Sequence, residues 1–381
     1  MKKFLVLFLT LSLILLAACG AAPAEEEAAA EEPAATEAAE SGDTITVVDH
    51  NDNTVVLPAD IQRIAVCDIL PLPSVLAVFF NSADRIVGMS EPSMTAAANS
   101  LLGELYPEIL NADTGFINGT EVNVESLSAL APDVVFYSAS SPQLGEQLTN
   151  AGFNAVAISV NKWDYNCIET LNHWIELLGQ MFPEDDKTAQ VEAKSGEVYD
   201  MIQERVKDIP EEERERLFFL FKYSDSAIIT SGSQFFGQWW ADAVGAKNVG
   251  EELEVDNAVE TDLEQVYKWN PGMMLITNFT PATPDDIYNN TVGVYDWSGI
   301  DAVKDKKVYK MPLGMYRSYT PGVDTPMTLL WLAQTVYPEL FSDIDLTAEV
   351  KAYYQDVFGV ELTDEQVNSI FVPSADAAAG F

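Results

Sequence analysis

Residues 183–210 read PEDDKTAQVEAKSGEVYDMIQERVKDIP. Between the bounding Pro183 and Pro210 there is no proline and one glycine, and apolar residues recur at Val191, Val198, Met201, Ile202 and Val206 amid charges. Such a run predicts one long helix, largely exposed to solvent and stopped by Pro210. The flanking sequence has a different rhythm. Before it, 63–67, 86–88, 134–137 and 155–160 read as short buried strands, and 70–80, 124–130, 142–151 and 167–182 as helices. After it, strands at 217–222, 227–230, 273–277 and 307–311 are interleaved with helices at 234–244, 260–268, 321–336, 347–358 and 363–371. Strands alternating with helices imply βαβ units and a mostly parallel sheet. The predicted fold class is therefore α/β: two lobes, each with a mostly parallel sheet flanked by helices, joined by a single long helix. The lobes are expected at 44–182 and 211–381, with 183–210 as the linking helix. A hairpin is expected over 44–57, turning at Asp49-His50-Asn51-Asp52-Asn53.

Ahead of the first lobe lie an address and a tether. Met1-Lys2-Lys3 is followed by an apolar run from Phe4 to Leu16 and then Ala17-Ala18-Cys19. A cationic start, a short apolar core and small residues before a cleavage point describe a secretory signal over 1–19, too short for a membrane span. Leu-Ala-Ala-Cys resembles the bacterial lipobox, which implies lipidation of Cys19 and a chain anchored outside the cytoplasmic membrane. Residues 20–43 are Gly, Ala, Pro, Glu and similar residues with no basic or aromatic side chain, and are expected to form a disordered acidic tether.

The chain has 381 residues and 48% hydrophobic residues, enough to bury a sizeable core. Sixty Asp and Glu against 20 Lys and Arg give a net charge of −40. Taking away the eight acids and two lysines of the first 43 residues leaves −34, so the body itself is acidic. That surface repels phosphate backbones, so nucleic acid is not an expected partner. Two histidines cannot build a His-rich metal site, and no metal site is expected; three cysteines cannot form a disulfide framework. Cys67 is read as a small buried hydrophobe, with a soft-metal ligand or a disulfide to Cys167 as the open alternatives. His50 is expected at the surface and His173 in helix packing.

One pattern occurs at equivalent points of the two lobes. Its copies are Asn123-Val124-Glu125-Ser126-Leu127 leading to Pro132-Asp133-Val134-Val135, and Asp262-Leu263-Glu264-Gln265-Val266 leading to Pro271-Gly272-Met273-Met274. Each is a short helix with a first-turn glutamate, then proline, then a hydrophobic strand. Together with the 43–58 hairpin, Arg63-Ile64-Ala65-Val66, the run Leu329-Leu330-Trp331-Leu332-Ala333 to Tyr337-Pro338-Glu339-Leu340-Phe341, and Tyr353-Tyr354-Gln355, it resembles the solute-binding proteins of ABC importers for iron–siderophores, haem and vitamin B12. The resemblance spans about residues 43–372. It implies a monomeric receptor, with no enzymatic activity and no cofactor, that delivers an iron chelate, haem or corrinoid to a membrane permease and its ATPase. It also implies that Glu125 and Glu264 dock onto permease arginines, a role that suits exposed carboxylates at helix N-termini.

Ligands of parallel α/β lobes sit beyond the carboxyl ends of the strands. The loops there hold Cys67, Asp68 and Leu70, then 115–119, Ser138 to Ser140, and Lys162 to Tyr165; in the second lobe they hold Lys222, Tyr223, Phe235, Phe236, Trp239, Trp240, Asn278, Phe279, Tyr316, Arg317 and Tyr319. From these, Arg317, Tyr316, Tyr319, Trp163, Tyr165, Lys162, Lys222, Tyr223, Trp239 and Asn278 are the expected ligand contacts, the aromatics suiting a broad chelated ligand and the scarce cations an anionic one. Phe235, Phe236, Trp239 and Trp240 share an apolar helix, which divides them between cleft and core. A receptor for a free or small-chelate metal ion is the alternative, and an extracytoplasmic hydrolase a weaker one. No Walker-type phosphate loop, Gly-x-Ser-x-Gly elbow or HExxH pair is present.

Overall fold

The computed structural model describes residues 43–379; the secretory signal, Cys19 and the tether before Asp43 lie outside the described residues. The described residues fall in one compact unit. An antiparallel hairpin opens it, β1 (Thr44–Val48) against β2 (Thr54–Pro58). The first lobe then runs β3 (Ile64–Val66), α1 (Leu72–Phe80), β4 (Ile86–Gly88), α2 (Glu91–Ala98), α3 (Leu101–Leu105), β5 (Ile117–Asn118), β6 (Glu121–Val122), α4 (Val124–Ala129), β7 (Val134–Ser138), α5 (Pro142–Asn150) and β8 (Ala155–Ile158). Two helices follow, α6 (Cys167–Met181) and α7 (Thr188–Val206).

The second lobe runs β9 (Arg216–Leu220), β10 (Lys222–Tyr223), β11 (Ile228–Ser231), α8 (Phe236–Ala243), β12 (Lys247–Asn248), β13 (Ala258–Thr261), α9 (Leu263–Trp269), β14 (Met273–Ile276), α10 (Pro284–Asn289), α11 (Asp301–Lys304) and β15 (Val308–Lys310). It closes with α12 (Thr325–Val336), α13 (Leu346–Tyr353), α14 (Asp364–Phe371) and a 3₁₀ turn, Ala375–Ala378.

Each lobe is built on a four-stranded parallel sheet, in the orders β4-β3-β7-β8 and β12-β9-β14-β15. Strands β3, β7, β9 and β14 are buried along nearly their whole length, as a sheet covered on both faces requires. In both sheets chain order reverses at a central strand, at β3 beside β7 and at β9 beside β14. Those reversals are topological switch points, where a crevice opens beyond the strand ends.

Helix α7 is the expected linking helix, shortened to 19 residues because a 3₁₀ turn, Pro183–Asp185, precedes it. Its face of Val191, Ser195, Val198, Ile202 and Val206 is buried, recurring every three to four residues, and packs on α6 and α12. One buried apolar cluster runs through it from Val66, Leu76 and Trp174 to Leu275, Leu332 and Tyr353, so the lobes share a core.

The expected helix over 260–268 is instead two elements. Val259 to Thr261 pair with β11 in an antiparallel sheet, β10-β11-β13, and the helix starts only where the Asp262 side chain accepts the amide of Gln265 at 2.7 Å. Val259 and Thr261 are β-branched and favour the strand, while Asp262 supplies the helix start. Cys67 and Cys167 are free, buried thiols in separate clusters, so no disulfide joins them. His50 is half-buried rather than at the surface: its Nδ1 accepts the amide of Ser159 at 3.0 Å, and burial pushes its pKa down to about 4.

Candidate ligand-binding cleft

The two switch points face one another across a cavity of about 180 Å³. One wall comes from the first lobe: Asp68 to Pro71 after β3, Ser138 at the end of β7 and Val160 after β8. The other comes from the second lobe: Phe221 after β9, Phe235 and Phe236 at the start of α8, Phe279 beyond β14, and Tyr316 and Thr320 on the loop before α12. Asp68 pins the first wall. Its Oδ1 accepts the amide of Ser138 and its Oδ2 the hydroxyl of Ser141, both at 2.6 Å, tying together the loops that leave β3 and β7.

The second wall is an aromatic cluster. Phe221 meets Phe235 edge-on at 5.3 Å and Phe279 at 5.0 Å, while Phe235 and Phe236 stand 5.0 Å apart. Such offset and edge-to-face contacts hold the rings in a preformed apolar surface. Beside it, across Phe279, a second hollow of about 170 Å³ is lined by Lys222, Tyr223, Ser224 and Thr280.

Of the residues expected to contact ligand, Tyr316 lines the cavity and Tyr165 stands at the junction of the lobes. The Tyr165 ring packs edge-on against Phe235 and Phe236, and its hydroxyl donates to Asp256 Oδ1 at 2.8 Å. That bond crosses from one lobe to the other; burial and the Asp256 carboxylate push the Tyr165 hydroxyl up to about 12.

The remaining expected contacts are turned elsewhere, each for a visible reason. Lys162 is drawn to the hairpin, where Nζ donates to Asp52 Oδ1 at 2.8 Å and to the His50 carbonyl at 3.1 Å. Trp163 follows it, stacked on His173 with ring centroids 4.2 Å apart. Tyr319 is fully buried within the aromatic cluster, behind Phe221, Phe235 and Phe236. Asn278 is buried, with Nδ2 donating to the carbonyls of Met311 and Pro312 at 2.8 and 3.0 Å, which fastens the strand end of β14 to the loop after β15. Trp239 is half-buried against Trp240 on α8 and outside the cavity wall. Lys222 and Tyr223 line the neighbouring hollow, but the Tyr223 hydroxyl points away, donating to Val292 O and accepting from Trp297 Nε1, each at 2.9 Å.

Arg317 lies behind the cavity wall rather than in it. Its Nε and Nη2 both donate to the Ala377 carbonyl, at 3.1 and 2.6 Å, and its Nη1 donates to the Pro92 carbonyl at 3.2 Å and to the Tyr316 hydroxyl at 2.8 Å. The guanidinium carbon sits 4.9 Å from the Tyr316 ring and 5.4 Å from that of Phe279, the two aromatics that separate it from the cavity. Ile69, Pro71, Val160, Phe221 and Thr320 line the cavity without having been singled out from sequence. All five lie within five residues of a strand end or of Arg317, a proximity that was legible. Which way each side chain faces was not.

The matched glutamates occupy matched settings. Glu125 and Glu264 are exposed in the first turns of α4 and α9, capped by Asn123, which accepts the Ser126 amide at 3.0 Å, and by Asp262. Glu264 also pairs loosely with Lys268 at 3.1 Å.

A family profile described as periplasmic binding protein matches residues 82–313. The chain belongs to the periplasmic binding protein family. This binding protein is 27% identical over 337 residues to the molybdate-binding protein MolA of Haemophilus influenzae, covering 82% of this chain and 90% of that protein. It is 24% identical over 310 residues to YvrC of Bacillus subtilis, an uncharacterised ABC transporter substrate-binding lipoprotein, covering 78% of this chain and 87% of that one. Among solved structures, a periplasmic solute-binding protein from Veillonella parvula superposes with a TM-score of 0.76 at 27% identity, over 89% of this chain and all of the other. MolA with molybdate bound superposes with a TM-score of 0.71 at 26% identity, over 84% and 99%. The helix-linked, two-lobed fold is thus that of a binding protein serving an ABC importer, not of an enzyme.

Proposed function

We propose that this binding protein is a lipid-anchored extracytoplasmic receptor that captures a compact anionic metal complex, a metal oxyanion or a small metal chelate, and hands it to an importer permease. The observation that carries this reading is the cavity between the two switch points. At about 180 Å³ it is smaller than the roughly 300–1,000 Å³ of pockets for drug-sized ligands. Haem and corrinoids exceed it unless the lobes part, so the reading favours the smaller end of the cargo range implied by sequence. The molybdate named for MolA is of that size class. Anionic cargo suits the cations placed around the site, Arg317 behind Tyr316 and Lys222 beside Phe279. Among the described residues no three His, Cys, Asp or Glu side chains converge on a point that would hold a bare metal ion, which weighs against the free-ion alternative. The exposed Glu125 and Glu264 are assigned to permease docking, and Cys19 to the lipid anchor.

Thermal-shift titration against molybdate, ferric siderophores, haemin, cobalamin and nickel–histidine tests the cargo. A solute that binds only the folded state stabilises it by about 2.7 kcal/mol at a hundredfold excess over its Kd. The expected result is a shift with molybdate or a small chelate and none with haemin or cobalamin; the reverse would overturn the size argument. Charge reversal of Glu125 and Glu264 should leave solute affinity unchanged while abolishing uptake in membranes carrying the permease.

A further inference from the structure

The geometry points to a second binding site, in the second lobe beside the edge strand β15, that takes a small aromatic carboxylate. A cavity of about 360 Å³ lies there, twice the volume of the one between the switch points and sharing no lining residue with it. Its walls come from stretches remote in sequence: Pro284 at the start of α10, Tyr309 and Lys310 on β15, Trp331 on α12, and Phe371 and Pro373 at and just after the end of α14. Pockets for small organic ligands run from roughly 300 to 1,000 Å³ and are mostly apolar, with a few placed polar groups. This one has that size and that make-up.

The walls favour an aromatic ligand. Tyr309, Trp331 and Phe371 are half-buried, and among the described residues none of the three rings packs on another aromatic ring. The cleft differs, since its phenylalanines are paired with one another. Rings at a cavity wall without an aromatic neighbour offer a flat ligand the surface on which to stack.

Lys310 favours a carboxylate. Its Nζ donates to the carbonyls of Thr280 and Ala282, at 2.6 and 2.7 Å, and an ammonium carries three protons. Among the described residues the third proton has no partner and the charge has no ion pair. Asp286 acts on Lys310 through its charge, but its carboxylate oxygens accept from the Thr283 amide and hydroxyl and from the Thr291 hydroxyl. No Asp or Glu lines the cavity, in a chain that carries 60 of them. Burial pushes the Lys310 pKa down from 10.5 to about 7, the response of a cation short of a counter-ion. A carboxylate seated among the rings supplies that counter-ion and accepts the third proton, a charge-assisted bond where none existed. The ligand preference follows: one negative charge on a flat apolar body. A neutral analogue leaves the lysine unpaired, and a bare anion leaves the rings unused.

The experiment titrates the intact protein by calorimetry with phenylacetate, with its neutral analogue phenylacetamide and with acetate. Phenylacetate should bind, and the other two should each bind at least about tenfold more weakly. Lys310→Met, checked for folding by its thermal melt, should weaken phenylacetate by a similar factor. Hydrogen exchange on the wild-type protein locates the site without any variant: bound phenylacetate should slow exchange at residues 308–310 and 371–375 and leave 68–71 and 316–320 unchanged. No binding of phenylacetate, equal binding of phenylacetamide, full affinity in a folded Lys310→Met chain, or protection confined to the cleft loops overturns the inference. None of these outcomes bears on the proposed cargo, which is tested with molybdate and chelates in the cleft.

Discussion

Asp324→Asn should remove a pH dependence of stability that the wild-type chain carries. The Asp324 carboxyl is buried at the entry to α12, where Oδ2 accepts the amide of Met315 at 2.7 Å and Oδ1 the hydroxyl of Tyr354 at 2.5 Å. It anchors the loop that presents Tyr316 and Arg317. Burial pushes its pKa from 3.8 up to about 6, against the opposing pull of those two donors. A group with a raised folded-state pKa stabilises the fold fully below its unfolded value, and that stability is lost as pH rises through the folded value. The window here is pH 3.8 to about 6, and at 1.36 kcal/mol per pH unit the loss amounts to about 3 kcal/mol. Many other acids titrate in the same range, so the informative quantity is the difference between wild type and variant. Urea unfolding of both at pH 4, 5, 6 and 7 should show the wild type losing about 2.4 kcal/mol relative to Asp324→Asn over that range, with the change complete by pH 7. A difference that stays flat with pH would refute the assignment of a raised, buried carboxyl.

Tyr165→Phe deletes the bond to Asp256 while keeping the ring against Phe235 and Phe236; urea unfolding should show a loss of about 1 kcal/mol, and small-angle scattering a wider separation of the lobes. Trp240→Ala removes a fully buried indole whose Nε1 donates to Tyr319 O at 2.9 Å, and should cost about 3–5 kcal/mol in the same assay. Burial pushes both the Cys67 and Cys167 thiols up, so peptides carrying them should remain unalkylated in the native protein and label fully in urea, as read by mass spectrometry.

The architecture was legible because it rests on periodicity. The proline-bounded run at 183–210 became α7, and the buried apolar runs became the strands of two parallel sheets. Strand-end logic also pointed to loops that line the cavity, with Asp68, Leu70, Ser138, Phe235, Phe236, Phe279 and Tyr316 all on its walls. What sequence could not reveal was orientation. Charge scarcity singled out Lys162 and Arg317, yet each side chain is claimed by a neighbour remote in sequence: Asp52 and His50 by 110 and 112 residues, and Ala377 by 60. Long flexible side chains take the strongest partner within reach, and that partner is set by tertiary packing. A phenylalanine ring offers no hydrogen-bonding group, and Phe221, Phe235, Phe236 and Phe279 reach the cavity from the strands and helices that carry them. Those four phenylalanines line one wall of the cavity, although apolar character alone divides Phe235, Phe236, Trp239 and Trp240 between cleft and core. Val259 to Thr261 failed for a related reason, because pairing with β11 decides a segment that local propensity leaves ambiguous.

Helix α7 is a rod of about 28 Å, at 1.5 Å per residue over 19 residues, embedded on one face in a core common to both lobes. A rod of that kind works as a gauge block. On the docking role proposed above, Glu125 and Glu264 are two acidic prongs, one on each of the lobes that share this core, at a spacing set by that packing instead of by cargo. A membrane partner gripping both prongs would therefore feel nearly the same span whether the receptor arrives full or empty. News of the cargo has to travel by other means, through side chains and short loops near the gap, and the apparatus best placed to carry it is the segment around Tyr316, Arg317 and Asp324.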